Sequence, residues 1–292
     1  MIRYIIAIFL LTASAVQGKE HLKKELLERI IQPKISVESF YLKDSNIEGY
    51  DGSVSLVKNK FSINNKILGL SYTNSSFSWS NIDSLPFGNP ATTPIKQIHA
   101  FKVNVNLPYK INEKWFLLNS VSLKSTFEKE TNDSYGVGVF SFASYKLNDN
   151  HTFQLGAFMN YHPTETLALP ILSYSYRARK SDGLQVVLGF PRTYIGYYYN
   201  KNTLLRLGVV YSQSLVRLSN KSTIELSGYI ETKDYMSNVG IAYEFNDSFM
   251  FNLGILYSIK RDFIIYNQNS SELNKHSIDP TLGLSAKLSY RF

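Results

Sequence analysis

Histidine, serine and carboxylate are where chemistry would be sought first, and their spacing in this chain assembles no catalytic set. The five histidines are His21, His99, His151, His162 and His276, and none has a second histidine or an acid at the spacing a metal site on a strand needs. His162-Pro163-Thr164-Glu165 brings an acid near a histidine, but in a stretch that reads as a solvated loop. Gly283-Leu284-Ser285-Ala286-Lys287 begins like a nucleophile elbow and lacks both the closing glycine and a strand-to-helix turn. There is no glycine-rich phosphate loop, and the basic residues are scattered singly, so nucleic acid is not an expected partner. The absence of cysteine removes disulfides and thiolate metal sites. The sequence therefore predicts no enzyme, no metal and no cofactor.

The chemistry that remains is that of charge. The chain carries 31 Lys and Arg against 23 Asp and Glu, a formal net charge of +8. Nine cations stand on the polar side of alternating segments or at their ends: Lys102, Lys124, Lys146, Arg177, Arg179, Arg206, Lys260, Lys287 and Arg291. Glu38 and Glu244 are the clear acids on that side. If the polar side lines a lumen, a basic interior attracts anions. The alternative is a plugged interior in which these cations pair with loop acids such as Asp83, Glu128 and Glu130.

The elements that position these residues are strands. Phe249, Phe251, Leu253, Ile255, Tyr257 and Ile259 share one face, opposite Asn252, Gly254, Ser258 and Lys260. Trp115, Leu117, Val121, Leu123 and Phe127 oppose Ser120, Ser122, Lys124 and Thr126. This is period-2 alternation over about 10 residues, the length of a tilted transmembrane strand. Asn-rich connectors at Asn64-Asn65, Asn112-Glu113, Asn148-Asp149-Asn150, Asn200-Lys201-Asn202 and Asn246-Asp247 read as tight turns. Strands are predicted at 35–44, 52–63, 66–79, 96–111, 115–127, 135–147, 151–161, 169–179, 183–190, 193–200, 204–218, 228–245, 248–266 and 280–292. That is about 14, with a range of 12 to 16, since Pro191 and the stretch 219–234 leave the count open. Longer connectors, 80–95, 162–168 and 267–279, fall together at the opposite end from the Asn-rich turns.

The first residues, MIRYIIAIFLLTASAVQGKE, have the form of a cleaved export signal. Arg3 precedes a short apolar run, and Ala13-Ser14-Ala15 and Val16-Gln17-Gly18 end on small residues. The run is well short of the roughly 20 residues of a spanning helix. The predicted organisation is a signal over 1–18, a short amphipathic helix over 19–34 ended by Pro33, and a barrel over 35–292. The fold class expected is all-β: a transmembrane antiparallel up-and-down β-barrel with a short N-terminal helix.

Alternation does not say which face is inside. Export, polar faces rich in glycine, serine and cations, and aromatics near strand ends favour a membrane barrel over a soluble sandwich. The aromatics are Trp79, Tyr109, Trp115, Tyr145, Tyr197, Tyr198, Tyr199, Tyr243 and Tyr290. Closure also leaves no backbone edge in lipid, and the final strand, LGLSAKLSYRF, is expected to pair with the first. Leu288, Tyr290 and Phe292 on this strand resemble the C-terminal signal of Gram-negative outer-membrane β-barrels. That resemblance implies the barrel-assembly machinery as a partner during biogenesis and outer-membrane lipid and lipopolysaccharide as surroundings. GFPRTYIGYYYN (189–200), LGILYSIKRDFIIY (253–266) and the closing strand resemble an uncharacterised family of bacterial outer-membrane β-barrels, which implies fold and location and lends no mechanism. Three functions stay open: a small passive, porin-like channel for polar solutes, anions among them, a closed barrel with a structural or loop-presenting role, and a rim hydrolase. The last needs a Ser-His pair or paired carboxylates with His at the rim, and no such motif stands in the sequence.

Overall fold

The computed structural model describes residues 33–88, 92–162, 166–178 and 182–292. The export signal, and the helix expected over 19–34 up to Gln32, lie outside the described residues; Lys34 already belongs to the first strand. Fifteen strands form one sheet: β1 (Lys34–Asn46), β2 (Ser53–Asn64), β3 (Leu68–Ser80), β4 (Gln97–Lys110), β5 (Trp115–Phe127), β6 (Tyr135–Lys146), β7 (His151–Tyr161), β8 (Thr166–Arg177), β9 (Gly183–Phe190), β10 (Arg192–Asn200), β11 (Thr203–Arg217), β12 (Tyr229–Glu244), β13 (Phe249–Tyr266), β14 (Glu272–Ile278) and β15 (Thr281–Arg291). β14 and β15 lie end to end along the long β13, interrupted at Asp279-Pro280, so the wall is a closed antiparallel barrel of 14 strands. The connector 267–279, expected to be a loop, is thus largely strand: β14 extends the wall by pairing Arg261–Tyr266.

Closure is made by β1 and β15, in register from Lys34↔Arg291 to Leu42↔Gly283. The terminal strand is held on both sides, by β1 and by β13. The Asn-rich turns gather at one end. Their side chains cap the chain reversals; Asn112 Oδ1, for example, accepts from the Lys114 and Trp115 amides at 2.9 Å. The long connections gather at the other end. We call these the turn end and the loop end.

The register fixes the faces, because directly opposed residues share one. Val37, Phe61, Leu123, Leu155, Leu172, Leu207, Val239 and Leu288 all face outward and stay 43–66% exposed. A soluble protein does not display such a belt, which is what lipid covers. Trp115 and Tyr145 pack with ring centroids 4.8 Å apart, tilted by 43°, at the turn end, and Tyr290 contacts Phe249 and Phe292 there. Two members of the predicted girdle are not in it. Tyr198 shares the inner face with Arg177, whose guanidinium lies 4.9 Å from its ring. Trp79 also turns inward, at the loop end, donating from Nε1 to the Ile95 carbonyl at 2.7 Å.

The buried core sits at the loop end, inside the barrel. Ile47, Val54, Ile95, Ile98, Val216, Leu218, Ile230, Phe263, Ile265 and Ile278 form one cluster, with Phe77, Trp79, Leu85 and Phe87 packed against it. The connection between β3 and β4 therefore folds into the mouth. At its upper end β11, still paired with β12 as far as Arg217↔Tyr229, also meets β5: Arg217 pairs with Phe127 in parallel, and the Glu128 amide donates to the Arg217 carbonyl at 2.9 Å.

Candidate functional site: the barrel interior

Of the nine predicted cations, Lys102, Lys124, Arg177, Arg206 and Lys287 point into the lumen. Lys102 and Lys124 stand directly opposite each other on β4 and β5. Arg206 lies between Gly196 and Gly240, whose missing side chains leave room for the guanidinium. Lys287 is neutralised by Glu38 of β1, Nζ to Oε2 at 3.1 Å. These last two, with Lys34, Glu38 and Arg192, line a cavity of about 440 Å³ in the turn-end half of the lumen. Lys146 and Arg291 are at the turn-end rim; Lys146 is tied to Asp149 of its own turn. Arg179 lies outside the described residues.

Lys260 is a correction. The β12–β13 ladder shifts register between Tyr235 and Met236, so that Tyr235 opposes Lys260 and Met236 opposes Ser258. A bulge of this kind places two successive residues on one side. Lys260 therefore stands on the outer face with Ile259 and Tyr235, 3.6 Å from Asp262. Arg261 takes the inward place instead, buried, with Nε 3.5 Å from Asp234.

Alternation on β2 carried two further lumen cations that the sequence reading passed over. Val57, Phe61 and Ile63 are exposed on the outer face, which sends Lys58 and Lys60 inward. Lys58, Lys60, Lys102 and Lys124 then form a basic patch on the inner faces of β2, β4 and β5. Among the described residues none of the four has a carboxylate within 4.0 Å; the Lys124 ammonium donates instead to Ser214 Oγ at 3.2 Å. The loop acids do not neutralise it. Glu128 accepts from the Ser219 amide at 2.9 Å and Glu130 from the Ser219 hydroxyl at 3.2 Å, fastening the upper end of β11 to the β5–β6 loop. Asp83 sits in a single 3-10 turn, Ile82–Ser84, of the β3–β4 connection.

The histidines make local contacts. His99 and His151 hydrogen-bond through Nδ1 to the hydroxyls of Tyr72 and Tyr174, at 2.8 and 2.7 Å. His162, just past the end of β7, is buried against the Tyr229 ring; burial pushes its pKa down to about 4, and Lys124 and Arg217 add to the effect. His276, on β14 beyond the belt, packs 5.4 Å from Phe87, and burial lowers its pKa as well. No group of three or more His, Asp or Glu that could hold a metal occurs among the described residues.

A closed antiparallel wall, an apolar outer belt and a polar, cationic interior define a membrane-spanning β-barrel. No protein-family model matches the chain, and no curated protein matches it. Among solved structures the chain is similar to an outer membrane channel from Pseudomonas putida F1, at 10% identity and TM-score 0.45 over 89% of this chain and 95% of that one. It is also similar to the NanC porin, at 9% identity and TM-score 0.41 over 88% and 100%, and to the KdgM porin, at 10% identity and TM-score 0.38 over 88% and 99%.

Proposed function

We propose that this protein is an outer-membrane, porin-like barrel through which small polar solutes pass passively, anions in preference to cations. The observation that carries the reading is the basic patch of Lys58, Lys60, Lys102 and Lys124, which faces the lumen with no carboxylate within 4.0 Å among the described residues; Glu38, cross-strand from Lys60, is taken by Lys287. Like charges set directly opposite each other on a sheet are destabilising, and a wall that keeps them has a use for the potential. Inside a low-dielectric wall that potential is weakly screened and concentrates anions. In this reading the signal over 1–18 exports the chain, and Leu288, Tyr290 and Phe292 present it to the assembly machinery. The turn end then faces the periplasm, and the loops meet lipopolysaccharide. Reconstitution in planar bilayers tests it. Stepwise conductance with a reversal potential on the chloride side in a salt gradient is expected; a cation-selective pore overturns the preference.

A second reading is a closed barrel with a structural or loop-presenting role. The apolar cluster across the loop end favours it, because Ile47, Ile95 and Ile230 are each 1% exposed or less and fill the mouth above the basic patch. Folded, inserted protein that never conducts, with or without the mouth loop seated, decides for this alternative.

A further inference from the structure

The wall has a notch, and a chamber lies behind it. β9 and β10 are short, and their hairpin turns at Pro191, partway up the barrel. β8 pairs with β9 only as far as Leu172↔Phe190, and β10 pairs with β11 only as far as Arg192↔Val210. Among the described residues no strand pairs with Thr166–Ile171 of β8 on that side, or with Ser212–Val216 of β11. The missing stretch is at the height of the lipid belt, because β7 places Ala157 and Met159 of the belt opposite Pro170 and Ala168. Pro170 stands within this edge of β8, a position where proline is tolerated.

The chamber holds about 320 Å³. It is bounded by inner-face residues of β5–β7, such as Phe140 and Phe158, and by Tyr211, Gln213 and Leu215, which belong to the outer face of β11. A cavity can touch both because β11, paired with β12 on one side and, among the described residues, joined by no strand over Ser212–Val216 on the other, meets β5 at Arg217↔Phe127 and so stands opposite the inner faces of β5–β7. At one end are Lys102 and Lys124, with Asn160 nearby; the rest is mainly apolar and aromatic. Among the described residues the lining holds one carboxylate, Glu231, which is engaged by Lys233 at 3.1 Å and by the Tyr266 hydroxyl at 2.9 Å.

We propose that this chamber binds an amphipathic organic anion, a carboxylate on an apolar or aromatic body, and that the notch opens it to the surrounding lipid. The carboxylate lies between Lys102 and Lys124, and the body packs on Phe140, Phe158 and Phe190. Three features select that class. The two opposed ammonium groups need an anion between them. The apolar remainder disfavours a wholly polar solute such as phosphate or a sugar acid. The volume, near the lower end of the roughly 300–1,000 Å³ of ligand pockets, suits a small molecule. An open backbone edge facing lipid costs several kcal/mol per unsatisfied group, so the notch is stable only where the chamber behind it supplies water or a ligand.

The test uses the full barrel in lipid nanodiscs, checked for folding by heat-modifiable migration, with naphthalene-2-carboxylate as the probe and empty nanodiscs as blank. Saturable binding by calorimetry is expected. K102Q/K124Q should weaken it about tenfold or more, since it removes both charge-assisted hydrogen bonds to the carboxylate. K102R/K124R should keep it, and acetate should compete poorly. Affinity unchanged in K102Q/K124Q, or equal competition by acetate, overturns the site. The chain has no cysteine, so Leu169→Cys gives a single label position in the chamber. Reaction with a membrane-dissolved maleimide is expected, and protection from it overturns the opening to lipid. Conductance on the same samples separates the two readings: conduction without probe binding refutes the chamber alone, and binding without conduction refutes the channel alone.

Discussion

If the β3–β4 connection closes the mouth, unseating it should raise conductance, and Ile95→Asp is the cleanest way to unseat it. Ile95 is 1% exposed and lies in the connection itself rather than in the wall. The segment is held by apolar burial of Ile95, by the partly buried Leu85 and Phe87, and by hydrogen bonds from Trp79 Nε1 to the Ile95 carbonyl and from Thr223 Oγ1 to the Pro94 carbonyl. Phe87 is the main contact, 5.2 Å from Phe263 and 5.7 Å from Trp79 between ring centroids. At about 1.5–3 kcal/mol for a fully buried large side chain and less for the other two, seating gains roughly 3–6 kcal/mol before the entropy of ordering the segment. Aspartate at 95 removes about 2 kcal/mol of that and adds a burial penalty of several kcal/mol for an ion without a partner. The sum exceeds what the remaining contacts supply, so the segment leaves the mouth while the barrel stays folded. Single-channel recording should show a larger or longer-lived open level than wild type, and limited proteolysis should cut within 82–96. Wild-type conductance and wild-type protection in an inserted, heat-modifiable variant would show that the loop does not gate the lumen.

Other expectations follow from individual contacts. Lys58→Glu with Lys60→Glu should move the reversal potential toward cations more than Lys260→Glu does, because Lys260 is on the outer face; an equal shift would place Lys260 in the lumen after all. If Leu288, Tyr290 and Phe292 present the chain to the assembly machinery as proposed, Phe292→Ala should lower the yield of inserted, heat-modifiable protein; normal yield removes that role for Phe292. His162 is held neutral, with its pKa lowered from 6.5 to about 4. The unfolded state therefore binds the proton first, and the stability this site contributes is present above pH 6.5 and lost as pH falls toward 4. Protection of amides around the β7–β8 connection, relative to their intrinsic exchange rates, should fall over that window, and His162→Gln should flatten the dependence; pH-independent protection in the wild type refutes the burial argument.

The strands were legible because their signal is local. Period-2 alternation and Asn-rich turns depend on neighbours a few residues apart, and they located the barrel strands to within a few residues, together with the pairing of the last strand with the first. The faces followed wherever the alternation is unbroken, as on β4, β5, β11 and β15. Lys260 failed for a physical reason: a bulge is one extra residue, invisible in composition, and it exchanges the faces beyond it. Trp79 failed differently, since an aromatic near a strand end suits a lipid girdle or a buried core equally well, and the choice rests on what Leu85, Phe87 and Ile95 bring against it. β14 read as a loop because the run Asn274-Lys275-His276-Ser277 breaks any alternation begun at Leu273, and only the overlong β13 gave it a partner. The basic patch needed both levels. Each lysine could be assigned to a face from its own strand, but that four of them meet with no ion-pair partner among the described residues depends on register across β2–β5. The chamber depends on still less local facts: the height at which the β9–β10 hairpin stops, and the meeting of β11 with β5. Those are decided by tertiary packing, because no stretch of sequence encodes where a distant strand will end.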